Sequence, residues 1–206
     1  MKSIYLAILS LVVIALGAWV CVTDAMAKPN ACPYWAHEFI NNNADRYDEY
    51  IDNAQGYIDD VLDILDEEHV DRVWVWLMLL ESGGKLNRRS SAGAIGVWQL
   101  MPATSKHYGC DNPNDIPCAT HAAARYIKKL LVDFHGDKWQ TIAAYNMGGA
   151  NYRKYGPTQA ARTWANLISC LMIHRDIDAV LREAGDLSAN DGEIFIRDNS
   201  LPMQNN

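Results

Sequence analysis

The sequence predicts an all-α protein. Between Pro33 and Glu68, apolar residues recur at every third or fourth position, which is their spacing along one face of a helix. A second observation is a continuous apolar run from Val73 to Leu80 that ends at two glycines. A third is the scarcity of alternating, strand-like patterns, of which Glu193–Arg197 is the only useful example. The stripe in the first segment consists of Tyr47, Ile51, Ala54, Ile58, Val61, Leu62 and Leu65.

Helical patterns continue toward the C-terminus. We expect four further helices, near 120–134, 139–145, 160–171 and 177–182. The pair Gly148-Gly149 is predicted to stop the second of these, because glycine readily adopts the left-handed conformation of a helix end. The length of 206 residues favours one helical domain with short appendages.

The first residues have the layout of an export signal. An almost wholly apolar stretch from Ile4 to Val20 follows Lys2, and Ala25-Met26-Ala27 offers the small-x-small pattern of a cleavage site. This predicts a cleaved signal peptide. An uncleaved membrane anchor is the alternative, since the run approaches the length that spans a bilayer. Either interpretation exports the rest of the chain to the periplasm or cell envelope.

Glu81 is the candidate catalytic residue. It follows the apolar run and precedes Gly83-Gly84, so it should lie on the last turn of a core helix, for which Asp71 is a plausible N-cap. Burial and the negative end of the helix dipole should both raise the pKa of a carboxyl group there. A carboxyl that stays protonated suits general-acid chemistry on an acetal oxygen. On the helix alone, a solvated terminal glutamate is the alternative.

Two ordered signatures surround this residue and a later tyrosine. The first comprises Glu81-Ser82, Ser90, Gly93-Ala94-Ile95-Gly96 and Gln99-Leu100-Met101-Pro102. The second is Ala144-Tyr145-Asn146, with a glycine two positions on. Their content and spacing resemble the lysozyme-like lytic transglycosylases, which cleave bacterial cell-wall glycan. The resemblance runs from near Val70 to near Leu167 and implies a lysozyme-like (goose-type) helical domain.

The resemblance also implies roles for individual residues. Glu81 would serve as the single acid and base that cleaves the N-acetylmuramic acid–N-acetylglucosamine bond and leaves a 1,6-anhydro end. Tyr145 would orient Glu81, and Asn146 would hold the adjacent backbone. The remaining expected substrate-binding residues are Ser82, Ser90, Trp98, Gln99 and Met101. For Ser90 a turn or cap role is an equal alternative. For Tyr145 the alternative is a buried core aromatic.

Two positions depart from the commonest family pattern. Gly84 stands where many relatives carry an aromatic or apolar residue, and Trp98 stands where they usually carry methionine. Trp98 would either stack on a sugar or fill the core. Tyr50 and Tyr57 edge the N-terminal stripe, where packing is favoured over sugar stacking. The Gly-Gly pair after Glu-Ser is similar to small transglycosylases of secretion and conjugation systems, so an envelope-spanning machine is a candidate partner.

The residue patterns and the resemblance together divide the chain into four parts. These are a signal peptide or anchor at 1–27, an N-terminal helical segment at 28–69, the lysozyme-like catalytic domain at 70–182 and a polar tail at 183–206. We expect peptidoglycan glycan strands as substrate, no cofactor and a monomeric protein. The rival functions are a hydrolytic muramidase on the same fold and a non-catalytic wall-binding assembly module.

The cysteines beyond the leader suit an oxidising compartment. Cys32, Cys110, Cys118 and Cys170 allow three connectivities, and sequence alone does not choose among them. Cys110 and Cys118 bracket a short loop and pair most economically, which leaves Cys32 for Cys170. No pair has C-x-x-C spacing and no histidine stands at ligand spacing, so we predict no metal site.

Charge limits the choice of partners. The formal net charge of −7 makes the chain a poor candidate for nucleic acid. Lys85, Arg88 and Arg89 nevertheless cluster just after Glu81. This basic cluster would hold the carboxylates of peptidoglycan stem peptides, or would be a solvated loop.

Overall fold

Helices account for the regular structure of the part of the chain that is described. The computed structural model describes residues 32–182. Its α-helices are α1 (Tyr34–Asn41), α2 (Ala44–Ala54), α3 (Ile58–Glu67), α4 (Val75–Ser82), α5 (Pro102–His107), α6 (Ile116–Asp133), α7 (Lys138–Met147), α8 (Gly149–Tyr155) and α9 (Gln159–His174). Residues 177–182 are also helical, and a 3₁₀ turn at Arg72–Trp74 leads into α4. Over residues 32–182 the all-α prediction is confirmed.

The N-terminal helical stripe is buried as predicted. All seven of its members, from Tyr47 to Leu65, are at most 3% exposed. The segment is nevertheless three helices and not one. The chain turns first at Asn42, whose backbone N–H bonds the Glu38 carbonyl, and again at Gly56, where the Tyr57 N–H bonds the Ala54 carbonyl at 2.9 Å. The acidic side chains of α2 and α3 stay on the solvated face.

The described residues form two compact units, and the first joins Ala44–Tyr126 with residues 172–182. Its core is the apolar helix α4, against which α2 packs. Trp76, within α4, is fully buried and donates from its indole Nε1 to the Arg175 carbonyl at 3.1 Å. Arg72 bonds Asp66 and Asp178, so it joins the two chain segments of which this unit consists. The bond from Arg72 lowers the pKa of the Asp66 carboxyl.

The other unit joins residues 32–43 with Ile127–Leu171. Helices α7 and α8 pack together in it. The Phe134 and Tyr152 rings meet edge to face at 4.9 Å, and the Trp139 indole donates to Asn166 Oδ1 at 2.6 Å. Asp133 pairs with Lys129 and Arg153, and the bond from Lys129 is the main cause of its lowered pKa.

Both disulfides have the predicted connectivity. Cys32 is bonded to Cys170, with 4.9 Å between the two Cα atoms. Cys110 is bonded to Cys118, with 5.3 Å between the Cα atoms. The first bond fixes the start of α1 to α9 within one unit. The second bond closes the loop before α6, here called the disulfide loop, within the unit that contains Ala44–Tyr126.

One predicted helix limit was wrong, and Gly149 has another role than predicted. Helix α6 begins at Ile116 and not near Thr120, because the Asp115 carboxylate accepts the Cys118 backbone N–H at 2.9 Å and caps the first turn. Gly148, with φ of 81°, ends α7 as expected. Gly149, however, begins α8 and does not extend the break. Helix α8 was not predicted, because its polar sequence carries no apolar stripe.

Some expectations lie outside the described residues. These are the leader at 1–27, the tail at 183–206 and the strand-like pattern at Glu193–Arg197. Within residues 32–182, no helix is both long enough and apolar enough to cross a membrane.

The two disulfides should contribute unequally to stability. The Cys32–Cys170 bond separates its cysteines by 138 positions and the Cys110–Cys118 bond by 8. On the chain-entropy model the longer closure is worth about 5 kcal/mol and the shorter about 2.5 kcal/mol, because it removes more freedom from the unfolded chain. We therefore expect Cys32→Ala/Cys170→Ala to lower the melting temperature more than Cys110→Ala/Cys118→Ala. Thermal unfolding followed by circular dichroism measures both, and an equal or reversed order would contradict the expectation.

Candidate functional site

Glu81 lies on the last turn of α4. Asp71 accepts the Val73 backbone N–H at 3.1 Å and so caps the 3₁₀ turn before the helix. The predicted N-cap of α4 itself is corrected, because that position is Trp74, which makes no side-chain capping bond. The next residues of the run, from Trp74 to Leu79, are at most 1% exposed. Glu81 itself is half-buried. A buried helix therefore brings a carboxylic acid to the edge of the core of this unit.

The helix ends at a double-glycine turn, defined here as Gly83-Gly84. Gly83 has φ of 65° and ψ of 30°, and its N–H bonds the Leu79 carbonyl at 2.7 Å. Gly84 also has a positive φ, of 67°. Left-handed conformations cost little only for glycine, so this sequence stops the helix two residues after Glu81, as predicted.

Ser82 belongs to this turn and not to a sugar-binding surface. Its side chain is fully buried. The hydroxyl donates to the Met78 carbonyl at 3.0 Å and accepts the Gly84 N–H at 3.1 Å. The expectation that Ser82 bonds substrate is therefore corrected, because its hydroxyl is out of reach of solvent and is used within the helix end.

Helix α2 and the residue that precedes α3 hold the double-glycine turn from outside. Asn53 Nδ2 donates to the Gly83 carbonyl at 3.0 Å, and the Tyr57 hydroxyl donates to the Gly84 carbonyl at 2.8 Å. A Cβ atom at Gly84 would lie 2.1 Å from the Tyr50 carbonyl oxygen. The approach of α2 therefore leaves no room for a side chain at Gly84.

Tyr57 is part of this packing, as the stripe predicted. Its side chain is 7% exposed, and burial raises the pKa of its hydroxyl to about 12. The hydroxyl remains protonated through the neutral range, so the hydrogen bond to Gly84 persists there. Tyr50 is half-buried and stands against Gly83, with its Cε1 atom 3.3 Å from the position of a Cβ there.

The loop between α4 and α5 is folded on itself by short-range bonds. Ile95 bridges both Arg89 and Leu100. The Ser90 hydroxyl accepts the Ala94 N–H at 3.0 Å, so a turn role is shown for this serine. Ser90 is half-buried, and substrate binding by it stays a prediction. Gly96 passes so near the disulfide loop that a Cβ there would lie 1.9 Å from the Pro113 carbonyl oxygen.

Gln99 braces the same loop. Its Nε2 donates to the carbonyls of Arg88 at 3.1 Å and Gly96 at 2.8 Å, while its backbone has a positive φ of 47°. Both amide hydrogens therefore bond the loop, and the amide oxygen of Gln99 is the atom that can accept a hydrogen bond from a sugar. Met101, which precedes α5, is 44% exposed. Its exposure leaves its thioether available for contact with a ligand.

Trp98 fills the core. The ring has no exposed surface, and its Nε1 donates to Thr120 Oγ1 at 2.9 Å. A sugar cannot stack on a ring that the protein covers on all sides, so the substrate-binding expectation for Trp98 is corrected. The indole instead ties the loop after Glu81 to the first turns of α6.

The second signature lies in the other unit. Tyr145 and Asn146 are on α7, where Tyr145 is 8% exposed and Asn146 is exposed. Asp137 caps this helix by accepting the Gln140 N–H at 2.9 Å. Ile142, Ala143 and Ala144 are fully buried, so Asn146 is presented from a firmly packed helix.

The basic cluster of Lys85, Arg88 and Arg89 is exposed. Lys85 pairs with Glu49 of α2 at 3.4 Å, and both side chains are more than half exposed, so this pair adds little stability. Arg88 Nη1 donates to the Ser82 carbonyl at 3.3 Å. The cluster is thus partly engaged in holding the helix end, and its role toward stem peptides stays a prediction.

Asn53 is a contributor to the helix end that sequence inspection missed. It is an exposed residue of α2, on the polar side of the stripe, and Asn carries no positional signal there. Only the structure shows that its amide reaches the Gly83 carbonyl, thirty positions along the chain. Residues 32–182 contain no group of three or more His, Cys, Asp and Glu side chains that could hold a metal ion.

The family follows from comparison with known proteins. Residues 65–168, half of the chain, match the family described as transglycosylase SLT domain. The chain belongs to this family. Together with the helical architecture of the described residues, membership confirms the predicted lysozyme-like, all-α class.

Two transglycosylases are similar in sequence to part of the chain. Membrane-bound lytic murein transglycosylase D of Escherichia coli (strain K12) is 35% identical over 94 residues, which are 43% of this chain and 21% of that enzyme. The transglycosylase of Enterobacteria phage PRD1 is 37% identical over 76 residues, which are 37% of this chain and 28% of that protein. The match thus spans less than a third of either relative.

A solved structure is also similar. It is the X-ray structure of an inactive mutant of the lytic transglycosylase Slt from Pseudomonas aeruginosa. The identity is 18% and the TM-score is 0.48, with 63% of this chain and 24% of that chain covered.

Two glycines of the first signature provide a matched test of the loop. Both have a positive φ, 93° at Gly93 and 79° at Gly96, but open space surrounds Gly93. Gly93→Ala should therefore cost only backbone strain, about 1–2 kcal/mol. Gly96→Ala should cost about 1–3 kcal/mol more, because the new methyl group collides with the Pro113 carbonyl.

Urea unfolding of the two variants and the wild-type protein measures this difference. If Gly93→Ala and Gly96→Ala lower the free energy of unfolding equally, the loop closed by Cys110–Cys118 moves aside without cost. That result would show that this loop does not constrain the first signature.

Proposed function

We propose that this protein is a peptidoglycan lytic transglycosylase with Glu81 as its sole acid and base. The observation that carries the proposal is the half-buried Glu81 on the last turn of α4, within the Glu-Ser signature of a transglycosylase family. The names of the relatives, a lytic murein transglycosylase and a phage transglycosylase, support the same reaction.

The reaction needs one carboxyl group. Protonated Glu81 gives its proton to the β-1,4 oxygen between N-acetylmuramic acid and N-acetylglucosamine as the C1–O bond breaks, and the bonding electrons leave with that oxygen. The resulting carboxylate takes the proton of the muramic C6 hydroxyl, and the C6 oxygen bonds to C1. The product is a 1,6-anhydro ring, Glu81 is protonated again and no water is consumed.

An intramolecular nucleophile explains why a second carboxylate is not required. The C6 hydroxyl belongs to the same sugar as C1, so its effective concentration is far above that of a free nucleophile. In glycosidases that use water or a covalent intermediate, a second carboxylate performs the activation or the attack. Among the residues of the two signatures, Glu81 is the only carboxylate.

Other residues of the signatures are proposed to support Glu81. By the family resemblance, Tyr145 orients the acid and Asn146 holds the adjacent backbone. Ser90, Gln99 and Met101 contact the sugars, Gln99 through its amide oxygen. The basic cluster of Lys85, Arg88 and Arg89 attracts the carboxylates of stem peptides to an otherwise acidic protein.

The site of action is proposed to be the periplasm or cell envelope. The apolar leader and the two disulfides suit an exported protein. Peptidoglycan is the proposed substrate, and the protein is proposed to act as a monomer. The Gly83-Gly84 pair after Glu81-Ser82 favours an envelope-spanning secretion or conjugation machine as the partner of this protein.

The first functional prediction concerns the acid. Glu81→Gln should abolish release of soluble glycan from purified sacculi, because glutamine neither donates nor accepts the proton that each step moves. Mass spectrometry of the products of the wild-type protein should show 1,6-anhydro-muramic ends.

Glu67→Gln is the matched control. Glu67 also ends a helix, α3, in the same unit, but it is exposed. Its variant should keep wild-type activity. Glycan release by well-folded Glu81→Gln would exclude the assignment of the acid. Reducing ends from the wild-type protein would indicate a hydrolytic muramidase, and no release would indicate a binding module.

The second functional prediction concerns Tyr145. Tyr145→Phe should lower kcat by about tenfold without abolishing turnover, because the hydroxyl is proposed to orient the acid and takes no part in bond cleavage. Tyr152→Phe removes a hydroxyl from another buried tyrosine of the same unit and should leave kcat unchanged. If Tyr145→Phe and the wild-type protein have identical kinetics across the pH range, the hydroxyl does not orient the acid and Tyr145 is a buried core aromatic.

A further inference from the structure

The end of the helix that carries Glu81 depends on two side chains from elsewhere. Asn53 Nδ2 and the Tyr57 hydroxyl donate to the successive carbonyls of Gly83 and Gly84, at 3.0 and 2.8 Å. These bonds arrive from α2 and from the residue immediately before α3. The double-glycine turn is therefore held by a segment that lies about thirty positions before the turn itself.

That segment lies outside the part of the chain that defines the family. The family match begins at residue 65, whereas Asn53 and Tyr57 precede it. Within the turn, the bonds of Gly83 to Leu79 and of Gly84 to Ser82 connect it only to its own helix. The contacts with α2 thus provide an attachment that α4 does not supply for itself.

Glycines make such an attachment necessary. They leave the chain more conformations than any other residue, so a Gly-Gly pair next to a catalytic acid is a source of mobility. At Gly84 the absence of a side chain also lets the backbone reach the Tyr50 carbonyl, where a Cβ would be 2.1 Å away. Gly84 therefore increases the mobility of the helix end and also permits the close approach of α2, which restricts that mobility.

We propose that Asn53 and Tyr57 are positioning residues for Glu81. By holding the Gly83 and Gly84 carbonyls, they fix the last turn of α4 and with it the direction and hydration of the Glu81 carboxyl. This proposal rests on the proposed function of Glu81 as the acid. It assigns the N-terminal helical segment a part in catalysis beyond packing.

Positioning of this kind affects turnover more than binding. A general acid must lie within hydrogen-bond reach of the leaving oxygen, and a misplacement of about 1 Å can cost about a hundredfold in rate. Asn53 and Tyr57 bond the backbone beyond Glu81, so their loss alters the acid and not the sugar contacts. The expected signature is a lower kcat with little change in KM.

The test compares two tyrosines of the same segment in the full-length protein. Tyr57→Phe removes the hydroxyl that bonds Gly84 and keeps the ring. Tyr47→Phe makes the same change at a tyrosine of α2 that is 2% exposed and packs edge to face on Tyr50. We expect Tyr57→Phe to lower kcat on purified glycan strands about tenfold with KM changed less than about twofold. Tyr47→Phe should match the wild-type protein in both constants.

The pH dependence of kcat provides a second readout. If the turn loosens in Tyr57→Phe, water gains access to the Glu81 carboxyl, and hydration favours its ionised form. The alkaline limb of the rate profile should then move to lower pH in Tyr57→Phe and stay in place in Tyr47→Phe. A loss of global stability alone, assayed well below the melting temperature, would scale the profile without moving it.

Asn53→Ala keeps the test decisive if Tyr57→Phe does not fold. It removes the amide that bonds Gly83 and retains the Cβ and the helical preference of an exposed position in α2. The same decrease in kcat and the same shift of the profile are expected.

The outcomes separate this proposal from the one on which it rests. Wild-type kcat and pH profile in folded Tyr57→Phe and Asn53→Ala, with Glu81→Gln inactive, would overturn the positioning role and leave the function intact. Equal losses in Tyr57→Phe and Tyr47→Phe would also overturn it, because they would indicate general packing. Activity in Glu81→Gln would instead remove the proposed function itself.

Discussion

The hydrogen bond from the Tyr57 hydroxyl to the Gly84 carbonyl is the interaction on which the arrangement around Glu81 depends. It is buried, so its loss would leave an unpaired carbonyl at a cost of about 1–3 kcal/mol. With the Asn53 bond to Gly83, it fixes a turn that two consecutive glycines would otherwise leave mobile. The turn that follows Glu81 is therefore anchored by residues that precede the family match.

The short length of α4 makes this anchoring important. An isolated helix of eight residues is unstable in water, so α4 exists because its apolar side chains are buried. Burial from Trp74 to Leu79 holds the body of the helix but not its end. Ser82, the double-glycine turn and Arg88 take up backbone groups at that end, and α2 packs against the helix. The acid is half-buried because it lies where the buried body gives way to this turn.

Much of this structure could be predicted from the sequence, because the relevant signals are local. The periodicity from Tyr47 to Leu65 and the helix stop at Gly83 each follow from the chemistry of neighbouring residues, and both are confirmed. The predictions failed where packing decides. Trp98 and Ser82 were expected to bind substrate, yet both side chains are fully buried and bonded within the protein. The amide of Asn53 bonds a residue thirty positions away, and no local pattern marks such a contact.

The central claim is that the C6 hydroxyl of the substrate, and not water, completes the reaction that Glu81 begins. Digestion of purified peptidoglycan by the wild-type protein in water enriched in a heavy oxygen isotope tests it most directly. Transglycosylation forms the new ring from an oxygen that the sugar already carries, so mass spectrometry should find no heavy oxygen at the new muramic ends. Heavy oxygen incorporated at those ends in proportion to cleavage would contradict the claim and show that water is the nucleophile.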